Sequence, residues 1–455
     1  MKTFAIETWG CQMNHHDSER LTGFMKLTGL DAVEDSSGAD VILLNTCSVR
    51  ERPVHKILSR IGDLARTNPS AVIGVCGCVA QQEGESLLRR GSNVGFVLGP
   101  GQVQRVGEAI RALQQGRRTV FTGFDPEQEY CFHTIFRKSS TRGMVTVAEG
   151  CGEYCTFCVV PHTRGREVSR PFDEILAEVR LLVRTGMREV ELLGQTINAY
   201  RCPASGADFA QLLDAIAREP GLARVRFITS HPRYFTDRLI EVMATHSHVS
   251  RYLHLPFQAG SNRILERMHR RYTREQYVDL INRIREAVPG VNISTDVIVG
   301  FPGEDESDFE RTLNLLESLR FGQVFAFAFS ARPGTPATRY RDQVSEEVKS
   351  QRLQRLFAVA DRVSLELNEK LIGQHLQVIV DGDSRRSSSD WQGRSDGNRV
   401  VNFPKQGLTA RVGDVIQVRI TRASAHSLYG EAAVASSRLP VLGASVAPLA
   451  APDSM

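Results

Sequence analysis

The sequence contains no apolar run long enough to span a bilayer, which removes helical membrane proteins from consideration. It also lacks the long apolar region of a secretory leader, since Met1-Lys-Thr-Phe-Ala-Ile-Glu runs straight into a strand pattern. Neither sign of charge is in strong excess. The formal net charge of +4 permits nucleic-acid binding without arguing for it. Nine cysteines with no leader point to a reducing compartment, the cytoplasm by default, where thiolates bind metal rather than pair as disulfides. What is present is the usual content of a globular protein, 41% hydrophobic and 24% charged, enough for a sizeable core. At 455 residues the chain is too long for one ordinary domain, and two or three are expected.

The most informative stretch is Glu149-Gly-Cys-Gly-Glu-Tyr-Cys-Thr-Phe-Cys-Val159. Cys151, Cys155 and Cys158 stand in a C-x3-C-x2-C pattern, with the aromatic Phe157 before the last cysteine. Three thiolates in one loop can hold three irons of a [4Fe–4S] cluster and leave the fourth open. An open iron can bind the amino and carboxylate groups of S-adenosylmethionine and pass an electron to its sulfonium. A structural zinc site would want a fourth ligand at short spacing, and His162 is the only nearby candidate. A disulfide would leave an odd thiol in the loop. The pattern resembles the signature of the radical S-adenosylmethionine enzymes.

Residues 1–125 alternate short apolar runs with helical patterns, which predicts a doubly wound parallel α/β domain. Strands are expected at Phe4–Thr8, Val41–Asn45, Ala71–Val75 and Val94–Leu98, with helices through Asp17–Met25 and near Val54–Ala65. Cys11 follows the first strand, Cys47 ends the second and Cys78 lies just past the third. Loops after the carboxyl ends of parallel strands share one edge, where ligands usually bind. These three could therefore converge on a second cluster, or they could be three unrelated buried thiols. Cys76 is two residues from Cys78, and strand alternation turns it to the other face. Cys78 is taken as the candidate ligand and Cys76 as a strand thiol.

Asp125–Thr141 reads as a linker of mixed charge. A second domain, 137–370, carries six strand patterns at Met144–Glu149, Arg188–Leu193, Val225–Thr229, Tyr252–Phe257, Ile293–Val299 and Val324–Phe329. Helical patterns separate them, so a partial (β/α)6 barrel is expected, with chemistry at the carboxyl ends of its strands. The triple-cysteine loop follows the first strand and falls on that face. Gly300-Phe-Pro-Gly-Glu304 is a sharp turn after the fifth. Val344–Lys370 reads as a long amphipathic helix, and 371–434 as a small antiparallel β-barrel. Arg385, Arg386, Arg394 and Arg399 in its central loops could touch phosphates, although Asp381, Asp383, Asp390 and Asp396 dilute their charge. The tail 435–455, rich in Ala, Pro and Ser, is expected to be disordered.

Over nearly its whole length the chain resembles the radical S-adenosylmethionine methylthiotransferases. The N-terminal markers are Glu7-Thr-Trp-Gly-Cys-Gln-Met-Asn, Asn45-Thr-Cys-Ser-Val-Arg and Gly77-Cys-Val-Ala-Gln. Beyond the triple-cysteine loop they continue with Thr163-Arg-Gly-Arg-Glu-Val-Ser-Arg-Pro, Leu192-Leu-Gly-Gln-Thr-Ile-Asn-Ala-Tyr and Thr229-Ser-His-Pro. His254-Leu-Pro-Phe-Gln-Ala-Gly-Ser, Asp296-Val-Ile-Val-Gly-Phe-Pro-Gly-Glu and Ser330-Ala-Arg-Pro-Gly-Thr-Pro complete them. Phe257 and Ala259 depart from the usual pattern, and Cys76 matches no family ligand.

The resemblance implies an auxiliary-cluster domain, a radical domain and a tRNA-binding TRAM domain. It assigns Cys11, Cys47 and Cys78 to a second [4Fe–4S] cluster. The implied reaction replaces an adenine C–H by S–CH3 on isopentenyladenosine beside the tRNA anticodon, with S-adenosylmethionine as both methyl donor and radical source. Gln195, Ser230, Gln258 and Asp296, read as strand-end residues of one face, are candidate S-adenosylmethionine contacts or, taken singly, structural polar groups. The expected partners are tRNA, a flavodoxin- or ferredoxin-type reductant and a sulfur or iron–sulfur donor. No membrane is involved, and the chain is expected to be a monomer. Rival readings are a methylthiotransferase acting on threonylcarbamoyladenosine or on a ribosomal-protein aspartate, and a non-catalytic iron–sulfur RNA-binding protein.

Overall fold

The β-branched and aromatic runs of the first domain are buried on both faces, as parallel strands between two helix layers must be. The strands are β1 (Thr3–Trp9), β2 (Asp31–Ala32), β3 (Val41–Thr46), β4 (Val72–Gly77), β5 (Val94–Leu98) and β6 (Thr119–Phe121). They form one all-parallel sheet in the order β2-β1-β3-β4-β5-β6. Helices α1 (Gln12–Leu27), α2 (Glu51–Thr67), α3 (Cys78–Glu83), α4 (Ser86–Arg90) and α5 (Val106–Gln114) flank it. Leu21 and Met25 of α1 join Val106 and Ile110 of α5 in one core, and Ile57 and Ile61 of α2 join Leu87 of α4 in the other. The sheet is therefore doubly wound, with its strand order reversing between β1 and β3.

This computed structural model describes residues 1–48, 51–91, 93–124, 130–139 and 141–432. The expected tail, 435–455, lies outside them, as do linker residues 125–129 and 140. Among the described residues no helix is long and apolar enough to cross a membrane.

The central strands are β7 (Arg142–Thr146), β8 (Ala148–Glu149), β9 (Val168–Ser169), β10 (Glu189–Leu193), β11 (Arg224–Phe227), β12 (Tyr252–His254), β13 (Asn292–Val299) and β14 (Gln323–Ala328). The run expected as one strand at 144–149 divides into β7 and β8, because β8 turns away to pair antiparallel with β9. Two parallel three-stranded sheets, β11-β10-β7 and β12-β13-β14, meet where Ser250 N donates to Val225 O at 2.9 Å. The result is a partial barrel whose edge strands, β7 and β14, are not paired with each other. Helix α6 (Val160–Thr163) follows the cysteine loop, and α7 (Phe172–Arg184) returns the chain to β10.

A long helix, Glu346–Glu369, is capped by Ser345 and leads into the last domain. There β15 (His375–Asp383), β16 (Asp390–Ser395), β17 (Val400–Pro404), β18 (Val415–Ala423) and β19 (Leu428–Ala432) close in the order β15-β16-β17-β19-β18. All pairs are antiparallel except β17–β19. The loop Ser395–Arg399 seats this barrel against the strand starts of the central domain. Asn292 Nδ2 donates to Gly397 O at 2.7 Å, and Arg224 Nη1 donates to Arg394 O at 3.2 Å.

Candidate cluster sites and the seam between them

Sheet register brings Cys11, Cys47 and Cys78 together. Trp9 pairs with Thr46 and Thr46 with Gly77, so the three strands end level at the β1/β3 reversal. Cys47 N donates to Trp9 O at 3.0 Å. The Cys47 thiol hydrogen-bonds with both other thiols, which brings Cys11 down to about 6 and Cys78 down to about 7. Buried Asn14 and Asn45 lock the loops beneath: Asn45 Nδ2 donates to Asn14 O at 2.8 Å, and Cys11 Sγ donates to Asn14 Oδ1 at 3.3 Å. Gly77 has φ +86°, and a Cβ there would strike the Asn45 side chain and the Thr46 carbonyl. Cys76 lies in the opposite core with Phe4, Leu21 and Phe96, and burial pushes its thiol up.

The second triad is braced from several sides. Cys151 N donates to Gly165 O at 3.1 Å, and Gly150 (φ +79°) has no room for a Cβ against the carbonyls of Gly165 and Arg166. Cys151 Sγ lies 3.2 Å from Thr196 Oγ1, and Cys155 Sγ accepts from Arg270 Nη1 at 3.4 Å. Burial, then the nearby Cys155 and Cys151, push the Cys158 thiol up to about 12. Phe157 packs on the barrel core, edge-on to Phe301. Among the described residues no group of His, Cys, Asp or Glu is arranged to hold a single metal ion. Each triad offers three thiols, the number that would hold three of the four irons of a [4Fe–4S] cluster.

Helix α3, which begins at Cys78, packs against α6, which follows Cys158. Across this seam Arg164 Nη2 donates to Asp17 Oδ2 at 2.6 Å, and Arg20 Nη1 pairs with Glu149 Oε1 at 2.9 Å. The described part of the linker is built into the seam. Tyr130 lies under the guanidinium groups of Arg20 and Arg170, 4.3 and 3.8 Å from its ring centre. Arg137 pairs with Glu19 at 3.6 Å and with buried Glu178, which also accepts from Arg170. Charges this deep are retained only when paired.

Of the candidate cofactor contacts, Gln195 follows β10 and Ser230 lies just beyond β11. Gln195 Oε1 and Ser230 Oγ are both buried with no hydrogen-bond partner. Gln258, at φ +67°, is tied by its backbone to Asp296 O and Ile298 N. Asp296 is not at a strand end. It sits within β13, 3.4 Å from His254 Nε2.

Several groups carried no separate signal in the sequence. Arg270 donates to Cys155 from more than a hundred residues away. Buried Glu153 accepts from Tyr234 and lies 3.7 Å from His231 Nε2. Arg164 lies in the run Thr163-Arg-Gly-Arg-Glu-Val-Ser-Arg-Pro, where nothing local distinguishes it from Arg166 or Arg170.

The four barrel arginines separate into two pairs. Arg394 Nη1 donates to Asn398 O at 3.3 Å within its own hairpin, and Arg399 Nε donates to Asn368 Oδ1 at 2.8 Å on the long helix that precedes the barrel. Arg385 and Arg386 are exposed.

Three family models match in order along the chain: Uncharacterized protein family UPF0004 over residues 3–99, Radical SAM superfamily over 145–316, and TRAM domain over 369–433. Among curated relatives, the tRNA-2-methylthio-N(6)-dimethylallyladenosine synthase of Bdellovibrio bacteriovorus is 43% identical, covering 94% of each chain. That of Alkalilimnicola ehrlichii is 44% identical, covering 94% of this chain and 96% of its own. Among solved structures, the radical S-adenosylmethionine methyltransferase TsrM from Kitasatospora setae matches with a TM-score of 0.55 at 16% identity, over 74% of each chain. That likeness concerns the fold alone.

Proposed function

This chain belongs to the family of tRNA-2-methylthio-N(6)-dimethylallyladenosine synthases, and we infer from its two cysteine triads how it carries out their reaction. It is a methylthiotransferase of the radical S-adenosylmethionine type, acting on N6-dimethylallyladenosine in tRNA. Cys151, Cys155 and Cys158 hold one [4Fe–4S] cluster, and Cys11, Cys47 and Cys78 hold the other. With S-adenosylmethionine, a cluster at the first triad would supply the one-electron chemistry needed to break an unactivated C–H bond, and one at the second would supply a site for the sulfur to be transferred.

The protein's own groups position and insulate. Arg270 offsets thiolate charge at Cys155, and Thr196 shares a hydrogen bond with Cys151. Gln195 and Ser230 present buried polar atoms that a polar cofactor at the carboxyl ends of the strands would satisfy. Glu153, within the cysteine loop itself, accepts from Tyr234 and so ties the loop to the turn after β11. Electrons come from a flavodoxin- or ferredoxin-type donor and sulfur from a separate donor, and the chain acts as a monomer in the cytoplasm. The observation that carries this reading is the direct packing of α3 on α6, which sets both triads on one seam. Nucleoside mass spectrometry of tRNA from a deletion strain tests it. The 2-methylthio mark on dimethylallyladenosine disappears and its unmodified precursor accumulates. Loss from threonylcarbamoyladenosine instead would assign a different substrate.

A further inference from the structure

Arg164 is held at both ends. Its backbone belongs to the turn whose next residue, Gly165, accepts from Cys151 N, and Gly150 approaches that turn so closely that a Cβ there would strike the Gly165 and Arg166 carbonyls. Its side chain, 3% exposed, crosses into the first domain, where Nη2 donates to Asp17 Oδ2 at 2.6 Å. The other edge is different: Nη1 is buried with no hydrogen-bond partner. Asp17 lies on α1, which begins just after Cys11, and α6, which ends one residue before Arg164, packs on α3, which begins at Cys78. The negative charges of Asp17, Cys78, Cys11 and Glu149 all favour the protonated guanidinium. Arg270 makes the contrast. Beside the other triad it spends Nε on Tyr272, Nη1 on Cys155 and Nη2 on Pro256 O, so no nitrogen is left over. A buried cation with one unmade bond, set against thiolates in the low dielectric of a domain seam, marks a place for an anion.

We propose that Arg164 is a positioning residue whose free Nη1 edge donates to the anionic sulfur ligand, a sulfide or thiolate, at the open iron of the Cys11/Cys47/Cys78 cluster. The donor offsets negative charge that three thiolates and a fourth anionic sulfur would otherwise leave uncompensated. It also fixes that sulfur relative to the Cys151 loop, because the same residue belongs to both. Ligand binding here is a Lewis acid–base contact and transfers no electron. The inference rests on the reading of Cys11, Cys47 and Cys78 as cluster ligands.

The test uses the full-length chain with Cys151, Cys155 and Cys158 changed to Ala and reconstituted with iron and sulfide. Methanethiolate is titrated in while the electron paramagnetic resonance spectrum of the reduced cluster is followed. Arg164→Gln is expected to bind the thiolate about ten- to a hundredfold more weakly at unchanged iron content. Its cluster potential should be more negative, and Arg164→Lys should fall between the two. Parent-like affinity and potential in Arg164→Gln would overturn the proposal. If that variant loads no iron, Asp17→Asn decides, since it keeps the guanidinium and removes the competing anion. Affinity equal to the parent or tighter supports the donor, and a tenfold loss overturns it. If the parent itself carries no iron, the two-cluster reading fails instead, which is a separate result.

Discussion

The Ser250 hydroxyl donates to the Asp396 carbonyl at 2.5 Å, and this bond is part of a belt that seats the C-terminal barrel on the central one. Arg224 and Arg226, both buried, pair with Glu189 and meet Asp396 and Asn398 from the last domain. Cutting the chain after Lys370 would leave these charges without that cover. The expected outcome is loss of S-adenosylmethionine cleavage together with tRNA binding, accompanied by a lower unfolding midpoint. A truncated protein that still cleaves S-adenosylmethionine at the full-length rate would show that the belt does not support the barrel.

Separating docking from recognition needs single side chains. Arg385→Ala with Arg386→Ala should weaken tRNA binding and reduce its salt dependence by about 0.7–0.9 for each phosphate no longer neutralised, with thermal stability unchanged. Asn398→Ala should do the opposite, costing about 1–3 kcal/mol of stability by leaving Arg226 without this acceptor. Equal salt slopes before and after the double arginine change would return these two residues to an ordinary solvated loop.

Iron content distinguishes the two sites. Changing Cys151, Cys155 and Cys158 to Ala should leave about half the iron and abolish S-adenosylmethionine cleavage. Cys78→Ala should lose the other half, whereas Cys76→Ala should keep all of it, at a packing cost of about 1 kcal/mol. Iron lost from Cys76→Ala and kept in Cys78→Ala would reverse the assignment.

Gln195 Oε1 and Ser230 Oγ are buried with no hydrogen-bond partner. Removing such atoms relieves a desolvation penalty, so Ser230→Ala and Gln195→Leu should not destabilise the chain. Each should weaken S-adenosylmethionine binding by about 1–3 kcal/mol, read by calorimetry on the reconstituted protein. Unchanged affinity in both would remove them from the cofactor site.

Burial raises the Glu304 carboxyl from 4.5 to about 7, against opposing contributions from Gly300 N and Arg352. The folded state therefore keeps a proton that the unfolded chain releases above about 4.5. Stability from this group is complete below the lower value and is lost as pH rises through about 7. Relative to Glu304→Gln, the parent should lose on the order of 1–3 kcal/mol between pH 5 and pH 8 in urea unfolding. A constant difference across that range would mean that Glu304 stays ionised beside Arg352.

The sequence by itself determined the longer elements and which thiols are candidate ligands in the triple-cysteine loop. Apolar runs of strand length separated by helical periodicity specify parallel α/β units, and the spacing of Cys151, Cys155 and Cys158 places three thiols in one loop. Both are local properties, readable from neighbours along the chain. The convergence of Cys11, Cys47 and Cys78 was only half legible. Their positions after three strands were visible, but strand order and register, which set Trp9, Thr46 and Gly77 level, depend on pairing between distant segments. The short strands β2 and β6 were not visible either, because two or three residues show no alternation. Tertiary structure alone decided which arginines face solvent and which are enclosed. Arg385 and Arg399 look alike in sequence, yet one is exposed and the other is bonded to Asn368. It alone set Arg270 on Cys155 and Arg164 on Asp17. The reason is that a long charged side chain is stable at depth only where another segment supplies its counter-charge, and that supply is a property of the fold.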